Sequence, residues 1–395
     1  MLCVFKAGDL YFRDLYFIDT QCCYSYTLLK TSFCKIRGKM GKKVLVAMSG
    51  GVDSSVAAML LADEGYDVSG VTMCFGITTE GDSAKCCGAD AINDAKRVCD
   101  RLKIPHYVFD YASQLEDKII SKFISEYKKG RTPNPCIDCN RDLKFGSLLE
   151  KATTLGFDFL ATGHYAAIEK NENGYCLKKP KDKKKDQTYF LYVVPYEKMQ
   201  NILFPLAPLT KDEVRAIAKK ASLPVAGKQE SQDICFVTQK NYQEFISGRV
   251  QKIKQGPIVD IQGNILGKHR GIIFYTIGQR GGLGISHTTP LYVVSIDSGK
   301  NRIVVGDKKD LKAKGLVAGD INILVQSWPN EVYAKIRYRK KEAACEVVLA
   351  NDGIRVLFAE EQEAITPGQS VVFYDNDCVL GGGVIEQILH IGNSF

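Results

Sequence analysis

The sequence predicts an α/β chain: a doubly wound parallel sheet, then a small central domain, then a C-terminal antiparallel β-barrel. Three observations carry this. The apolar run Val44-Leu45-Val46-Ala47-Met48 passes through Ser49-Gly50-Gly51 straight into the helix-forming Ser55-Val56-Ala57-Ala58-Met59-Leu60-Leu61. Short apolar strands alternate with amphipathic helices over 43–165, which implies a parallel sheet covered on both faces. From 291 onward the pattern holds only strands, separated by turns such as Asp352-Gly353 and Pro367-Gly368.

The strands read in order as Val44–Met48, Val68–Met73, His106–Phe109 and Phe157–Thr162. Between them, Ala91, Ile92, Ala95, Val98 and Leu102 form one helical stripe, and Leu115, Ile119, Phe123 and Tyr127 another. Both stripes read as core faces. Thr210-Lys211-Asp212-Glu213 is a capping box that opens a helix through about Ser222. The later strands read as Leu291–Ile296, Arg302–Val305, Val332–Arg337, Cys345–Leu349, Ile354–Phe358 and Ser370–Tyr374. The expected division is 41–205, 206–290 and 291–395. Residues 1–40 are rich in Tyr, Phe and Cys without a regular period and look foreign to the rest. Met40 as the true start, or a disordered extension, is the expectation there.

The chain has 395 residues, enough for two or three domains, and a formal net charge of +8, which permits a polyanionic partner. No apolar run is long enough to span a membrane. Fourteen cysteines without a secretory signal pattern point to reduced thiols with chemical or metal roles, rather than a disulfide framework, in a cytoplasmic protein. Lys178, Lys179, Lys181, Lys183, Lys184 and Lys185 form a local basic cluster, ordinarily a solvated loop.

A strand, a tight glycine turn and a helix cradle phosphate. Gly50 and Gly51 let backbone N–H groups approach an anion, and the helix N-terminus adds free donors. Ser49, Ser54 and Ser55 add hydroxyls, and Asp53 is placed to orient the loop or a metal-bound water. No Gly-Lys-Ser/Thr follows, so this is not a Walker loop. Ligands of such sheets lie beyond the carboxyl ends of the strands, where Met73 and Gly163-His164 also fall.

The second motif is Thr132-Pro133-Asn134-Pro135-Cys136-Ile137-Asp138-Cys139-Asn140. A helix should follow with Phe145, Leu148, Leu149 and Ala152 buried. A thiol just ahead of that helix would have its pKa lowered by the dipole. A lone CxxC serves as half a zinc site, a redox pair or two buried thiols, and with no second CxxC a four-ligand zinc site is disfavoured. The third motif, Ser231-Gln232-Asp233-Ile234-Cys235-Phe236, puts one more cysteine in a polar context.

Taken in order, Ser49 to Ser54, Thr132 to Asn140, Ala161-Thr162-Gly163-His164-Tyr165, Lys185-Asp186-Gln187, Cys235, Tyr275-Thr276-Ile277-Gly278-Gln279-Arg280, Lys335-Ile336-Arg337-Tyr338-Arg339, Thr366-Pro367-Gly368-Gln369 and Leu380-Gly381-Gly382-Gly383 resemble the bacterial-type tRNA-specific 2-thiouridylases, over about 41–390. The resemblance implies an adenine nucleotide alpha-hydrolase-like sheet. It implies that ATP, with Mg²⁺, sits on Ala47, Met48, Ser49, Gly50, Gly51, Val52, Asp53, Ser54, Met73 and Gly163. The 2-carbonyl oxygen of a wobble uridine would be adenylated, then replaced by sulfur. A persulfide on Cys235 would supply that sulfur, with Cys139 as nucleophile and a Cys139–Cys235 disulfide left behind. Asn134, Pro135 and Cys136 would meet the target base; some members carry Asp at the position of Cys136, which leaves its role open. His164, Lys185, Asp186, Gln187, Arg337, Tyr338 and Gln369 would contact tRNA, with lysine, glutamate and glutamine acceptors implied. A sulfur-relay protein and a cysteine desulfurase would be the sulfur source. An iron–sulfur cluster on Cys136, Cys139 and Cys235 is the minor alternative.

Two other readings compete. A pyrophosphate-loop ligase or amidotransferase acting on a small molecule would need no paired thiols. A non-catalytic nucleotide-dependent RNA-binding protein would tolerate alanine at Cys139 and Cys235.

Overall fold

The computed structural model describes residues 41–78, 86–172, 174–230, 234–237, 242–350 and 353–390. The segment 1–40, and with it the expectation about Met40, lies outside them, as do Ser231-Gln232-Asp233.

The first domain is a five-stranded, all-parallel sheet. Its strands are β1 (Lys43–Ala47), β2 (Asp67–Cys74), β3 (His106–Asp110), β4 (Phe159–Thr162) and, beyond an inserted hairpin, β7 (Ile202–Leu203). They lie in the order β3-β2-β1-β4-β7. Helices α1 (Val52–Asp63) and α2 (Ala89–Leu102) and the long helices α3 (112–128) and α4 (135–154) cover its faces. Val44, Leu45 and Val46 of β1 are fully buried, as a strand covered on both faces requires. Strand order reverses between β1 and β4, so a crevice opens at their carboxyl ends.

The inserted hairpin β5 (Ala167–Asn171) and β6 (Gly174–Lys178) leaves this sheet and joins the C-terminal one. Helix α5 (Lys211–Lys220) carries the expected capping box, with Thr210 and Glu213 exchanging bonds. It packs on α1 through Val214 and Ala218 against Val56 and Ala57, so it lies with the parallel sheet. The short helix α6 (Tyr242–Ser247) leads into a second sheet of four strands. This sheet pairs β8 (Gly256–Val259) with β9 (Ile265–His269) and β11 (Arg302–Gly306), and β11 with β10 (Tyr292–Asp297). The strands read at 291–305 therefore belong to the middle sheet.

The C-terminal barrel contains β12 (Lys312–Ile323), β13 (Val332–Lys335), β14 (Ala343–Ala350), β15 (Gly353–Glu363), β16 (Ser370–Asp375) and β17 (Cys378–Leu389). Pairing of β12 with both β15 and β17 closes it. It has its own apolar core around Leu316, Val356, Phe358 and Phe373. A disulfide, Cys176–Cys378, ties β6 to β17. Among the described residues, no helix is long and apolar enough to cross a membrane.

Candidate functional site

The chain leaves β1 at Ala47 and turns at Met48, whose N–H donates to the Val71 carbonyl at 2.7 Å. Gly50 takes φ +68°, a conformation that favours glycine. Gly51 is the N-cap of α1 and no side chain caps it, which leaves the first N–H groups of the helix open to an anion. Ser54 and Ser55 brace the turn: their hydroxyls donate to the Gly51 carbonyl at 3.3 and 2.8 Å, and the Ser49 N–H donates to Ser54 Oγ at 3.2 Å. Gly163, just after β4, approaches the first turn of α1 so closely that a Cβ there would lie 2.6 Å from Ser54 N. Ala47 and Met73 flank this point at the ends of neighbouring strands, where Ala47 pairs with Val71 and Thr162. These residues form one open, donor-lined cradle of the kind that receives a nucleotide's phosphates.

Asp53 faces a charge network that sequence reading did not anticipate. Lys211 Nζ lies 2.7 and 2.8 Å from the two Asp53 carboxylate oxygens and 2.8 Å from Glu230. Tyr165 donates its hydroxyl to Asp53 at 3.0 Å. Glu230 also holds Lys185 at 2.7 Å. Hydrogen bonds from Lys185, then Lys211, bring the Glu230 carboxyl down to about 2. Its folded-state pKa lies below the ordinary 4.5, so its ion pairs stabilise the fold fully above that value and lose their effect as pH falls toward 2. The stability difference between wild type and Glu230→Gln should therefore shrink steadily as pH falls from about 4.5 to 2. Thermal unfolding of the pair over that range measures it, and a constant difference would count against the network.

Helix α4 carries the second motif. Pro135 occupies its first turn, Asn134 is its N-cap with no side-chain cap bond, and Cys136 is exposed one residue on. From Cys139 to Leu148 the helix widens to π-helical turns. Gly146 permits this, since a Cβ there would lie 2.8 Å from the Arg141 carbonyl, and Ser147 donates to the Asp142 carbonyl at 3.0 Å. Such widening recurs at functional sites. Cys139, 8% exposed, lies within α4 rather than ahead of it. The lowered pKa expected from a helix N-terminus is thus corrected: burial pushes this thiol up, and Lys144 only partly offsets it. Desolvation of the sulfur by surrounding chain raises Cys136 too, and pushes Cys235 up to about 12, although both residues keep an exposed face.

Cys235 sits exposed in a turn, anchored by buried Phe236 against Phe123 and Phe245. Cys139 and Cys136 both act electrostatically on it, so the three thiols share one neighbourhood. Cys139 and Cys235 are free thiols here, and among the described residues no group of three His, Cys, Asp or Glu is placed to hold a metal ion. Lys144 is the functional candidate that sequence reading missed. It acts on all three thiols and on His164, and donates to Asn140 Oδ1 at 3.0 Å. Its place four residues after Asn140 on a helix was the available signal.

His164 bridges the two halves of the site. It packs between Phe145 and Phe204, bonds Thr162 Oγ1 through Nδ1 at 2.8 Å, and burial drives its imidazole well below the usual range. The remaining candidates are scattered or tied down. Asp186 is buried and accepts from Thr188 N–H and hydroxyl at 2.9 and 2.7 Å; Gln187 accepts from the Tyr165 N–H at 2.8 Å. Lys178, Lys179, Lys181, Lys183 and Lys185 each pair with a carboxylate. Arg337 leaves the barrel ladder after β13 and donates to the Ile277 carbonyl and Thr366 hydroxyl. Tyr338 packs against Phe190, with ring centroids 4.5 Å apart and planes tilted by 45°. Gln369 donates to the Thr132 carbonyl at 2.8 Å, docking the barrel on the loop that precedes Asn134.

Comparison with known proteins matches this architecture domain by domain. Family profiles described as a tRNA methyl transferase HUP domain, a tRNA methyl transferase PRC-barrel domain and an aminomethyltransferase β-barrel domain cover residues 42–239, 243–307 and 313–385. The chain is 58% identical over 359 residues to a tRNA-specific 2-thiouridylase of Syntrophus aciditrophicus, covering 91% of this chain and 96% of that one. It is 50% identical over 356 residues to the tRNA-specific 2-thiouridylase of Acetivibrio thermocellus, covering 87% and 99%. A third, from Caldanaerobacter subterraneus, is 49% identical over 360 residues, covering 88% and 99%.

Proposed function

The chain belongs to the tRNA-specific 2-thiouridylase family, and we propose that it uses ATP to replace the 2-oxygen of a wobble uridine in tRNA with sulfur. The observation that carries this reading is the pairing of a lysine-free phosphate cradle at Ser49–Ser55 with a separate neighbourhood of free thiols, joined through His164. Methyl transfer, the wording of the family profiles, asks for neither feature.

Uracil O2 attacks the α-phosphorus of ATP, and pyrophosphate leaves with the electron pair of the broken P–O bond. The carbonyl oxygen is now part of AMP, a good leaving group. Gly50, Gly51 and the open N–H groups of α1 meet the phosphate charge. The cradle's carboxylate, Asp53, already has both oxygens on Lys211 and one on Tyr165, so a Mg²⁺ ion accompanying ATP would be held chiefly by phosphate oxygens, whose charge it would neutralise. Sulfur arrives as a persulfide on Cys235, supplied by a relay partner and ultimately a cysteine desulfurase. Either the persulfide attacks C2, AMP leaves and Cys139 resolves the adduct, or Cys139 first attacks the persulfide and frees sulfide, which then attacks C2 as AMP leaves. Both routes reduce the transferred sulfur and oxidise two thiols to a Cys139–Cys235 disulfide, which an external thiol must reduce. Asn134, uncapping and at the mouth of α4, and exposed Cys136 are the groups for the extruded base. Gln369 and Arg337 spend donors on Thr132, Ile277 and Thr366, so they would shape the barrel seam along which the tRNA is proposed to run, and lysine, glutamate and glutamine tRNAs are the proposed substrates.

Mass analysis of tRNA nucleosides from cells lacking the protein tests the reading. Wobble 2-thiouridine should disappear and return with the full-length gene. Unchanged 2-thiouridine would overturn it.

A further inference from the structure

The cradle contains no lysine, yet pyrophosphate is the most highly charged product of the reaction proposed above. In a Walker loop a lysine inside the motif meets that charge. Here the fold brings lysines to the loop from far along the chain. Lys211 is buried and held by Asp53 and Glu230. Lys228 is different. Its Nζ donates to the Gly50 carbonyl at 3.0 Å, across 178 residues of sequence, and to Asp94 Oδ2 of α2 at 2.6 Å. Its side chain is 39% exposed, so the ammonium sits against the glycine turn on one side and solvent on the other.

We propose that Lys228 is the pyrophosphate-binding lysine of this site. Asp94 is then a placeholder anion that holds the ammonium at Gly50 until phosphate arrives. Asp94 also pairs with Arg97, so it keeps a partner when Lys228 turns to the ligand. The stem of Lys228 need not travel, because Gly50 already borders the open N–H groups of α1. As uracil O2 bonds to the α-phosphorus and the α–β bridge breaks, the electron pair passes to the pyrophosphate oxygen. Lys228 offsets that growing charge.

The inference rests on the ATP-splitting reading, and the test separates the two. Inorganic pyrophosphate and AMP are each titrated calorimetrically into the full-length chain, and tRNA-dependent AMP formation is followed alongside. Lys228→Met should weaken pyrophosphate binding by at least about tenfold, the usual weight of a hydrogen bond to a charged group, and leave AMP binding unchanged. It should also lower kcat/KM for ATP, and Lys228→Arg should restore most of both. Asp94→Asn should bind pyrophosphate as well as wild type or better, because it removes the competing anion. A purely structural tie between Gly50 and α2 makes the opposite forecast: Lys228→Met and Asp94→Asn would lower thermal stability together and weaken AMP and pyrophosphate alike. That outcome, or wild-type pyrophosphate affinity in Lys228→Met, overturns the assignment. Wild-type protein that binds pyrophosphate but forms no AMP with tRNA would overturn the ATP-splitting reading instead, while the titration still decides on Lys228.

Discussion

Cys139→Ser and Cys235→Ser should each abolish 2-thiouridine formation, lowering its rate by more than about 10³-fold, while ATP and tRNA binding survive. Serine keeps nearly the shape of cysteine, so it fits the 8% exposed pocket of Cys139 and the exposed turn of Cys235. What it removes is the sulfur that can bond to sulfur. Neither proposed route completes without both thiols, so the double variant should be no worse than either single one. Desolvation of its sulfur, with the neighbouring Cys139 and Cys136, raises the Cys235 thiol to about 12 although the residue keeps an exposed face, so it is protonated at neutral pH. Alkylation of the resting enzyme should accordingly be slow and should quicken as pH rises. The measurement is single-turnover thiolation of transcript tRNA with a persulfide donor, with urea midpoints to verify folding. A Cys139→Ser enzyme that keeps even a tenth of wild-type thiolation would remove Cys139 from the chemistry and favour the ligase or RNA-binding readings.

The cradle was legible because its signals are local. Gly50, Gly51, the apolar strand before them and the helix-forming run after them all lie within a few residues. The apolar stripes of α2 and α3 were readable for the same reason. Features set by distant partners were not. Nothing in the local pattern of Ala167–Asn171 says that the hairpin belongs to the barrel, and Tyr292–Asp297 looks alike in either antiparallel sheet. Strand β13 ends at Lys335 rather than Arg337 because Arg337 turns away to the Ile277 carbonyl, a partner 60 residues back. The thiol pKa values went the other way from expectation because burial outweighs the dipole, and burial is a property of the packed chain. Lys211 and Lys228 sit in ordinary helix and loop sequence; only folding brings them to the phosphate site. The Cys176–Cys378 disulfide spans 202 residues and no spacing rule announces it.

Gly50→Ala should remove ATP-dependent activity almost completely while leaving the rest of the fold intact. Two effects coincide at this residue. Its φ of +68° costs a residue with a side chain about 1 kcal/mol or more. A Cβ there would also lie 2.8 Å from Ala91 Cα and closer still to the Ala91 carbonyl oxygen, on the backbone of α2, which cannot rotate aside. The loop must therefore shift as a unit. It would take with it the Gly50 carbonyl that Lys228 holds and the open N–H groups beside Gly51. A displacement of about 1 Å in a positioning loop costs about 10²-fold in rate. Gly51→Ala is the control, because its φ is −103° and the nearest atom to an added Cβ is the flexible Ser49 hydroxyl at 3.3 Å. Gly51→Ala should lose far less. AMP formation and nucleotide affinity measured on both variants decide the point. Equal losses would mean that the N–H groups of the turn, rather than its backbone shape, limit the reaction, and near-wild-type activity in Gly50→Ala would mean that the phosphates bind elsewhere.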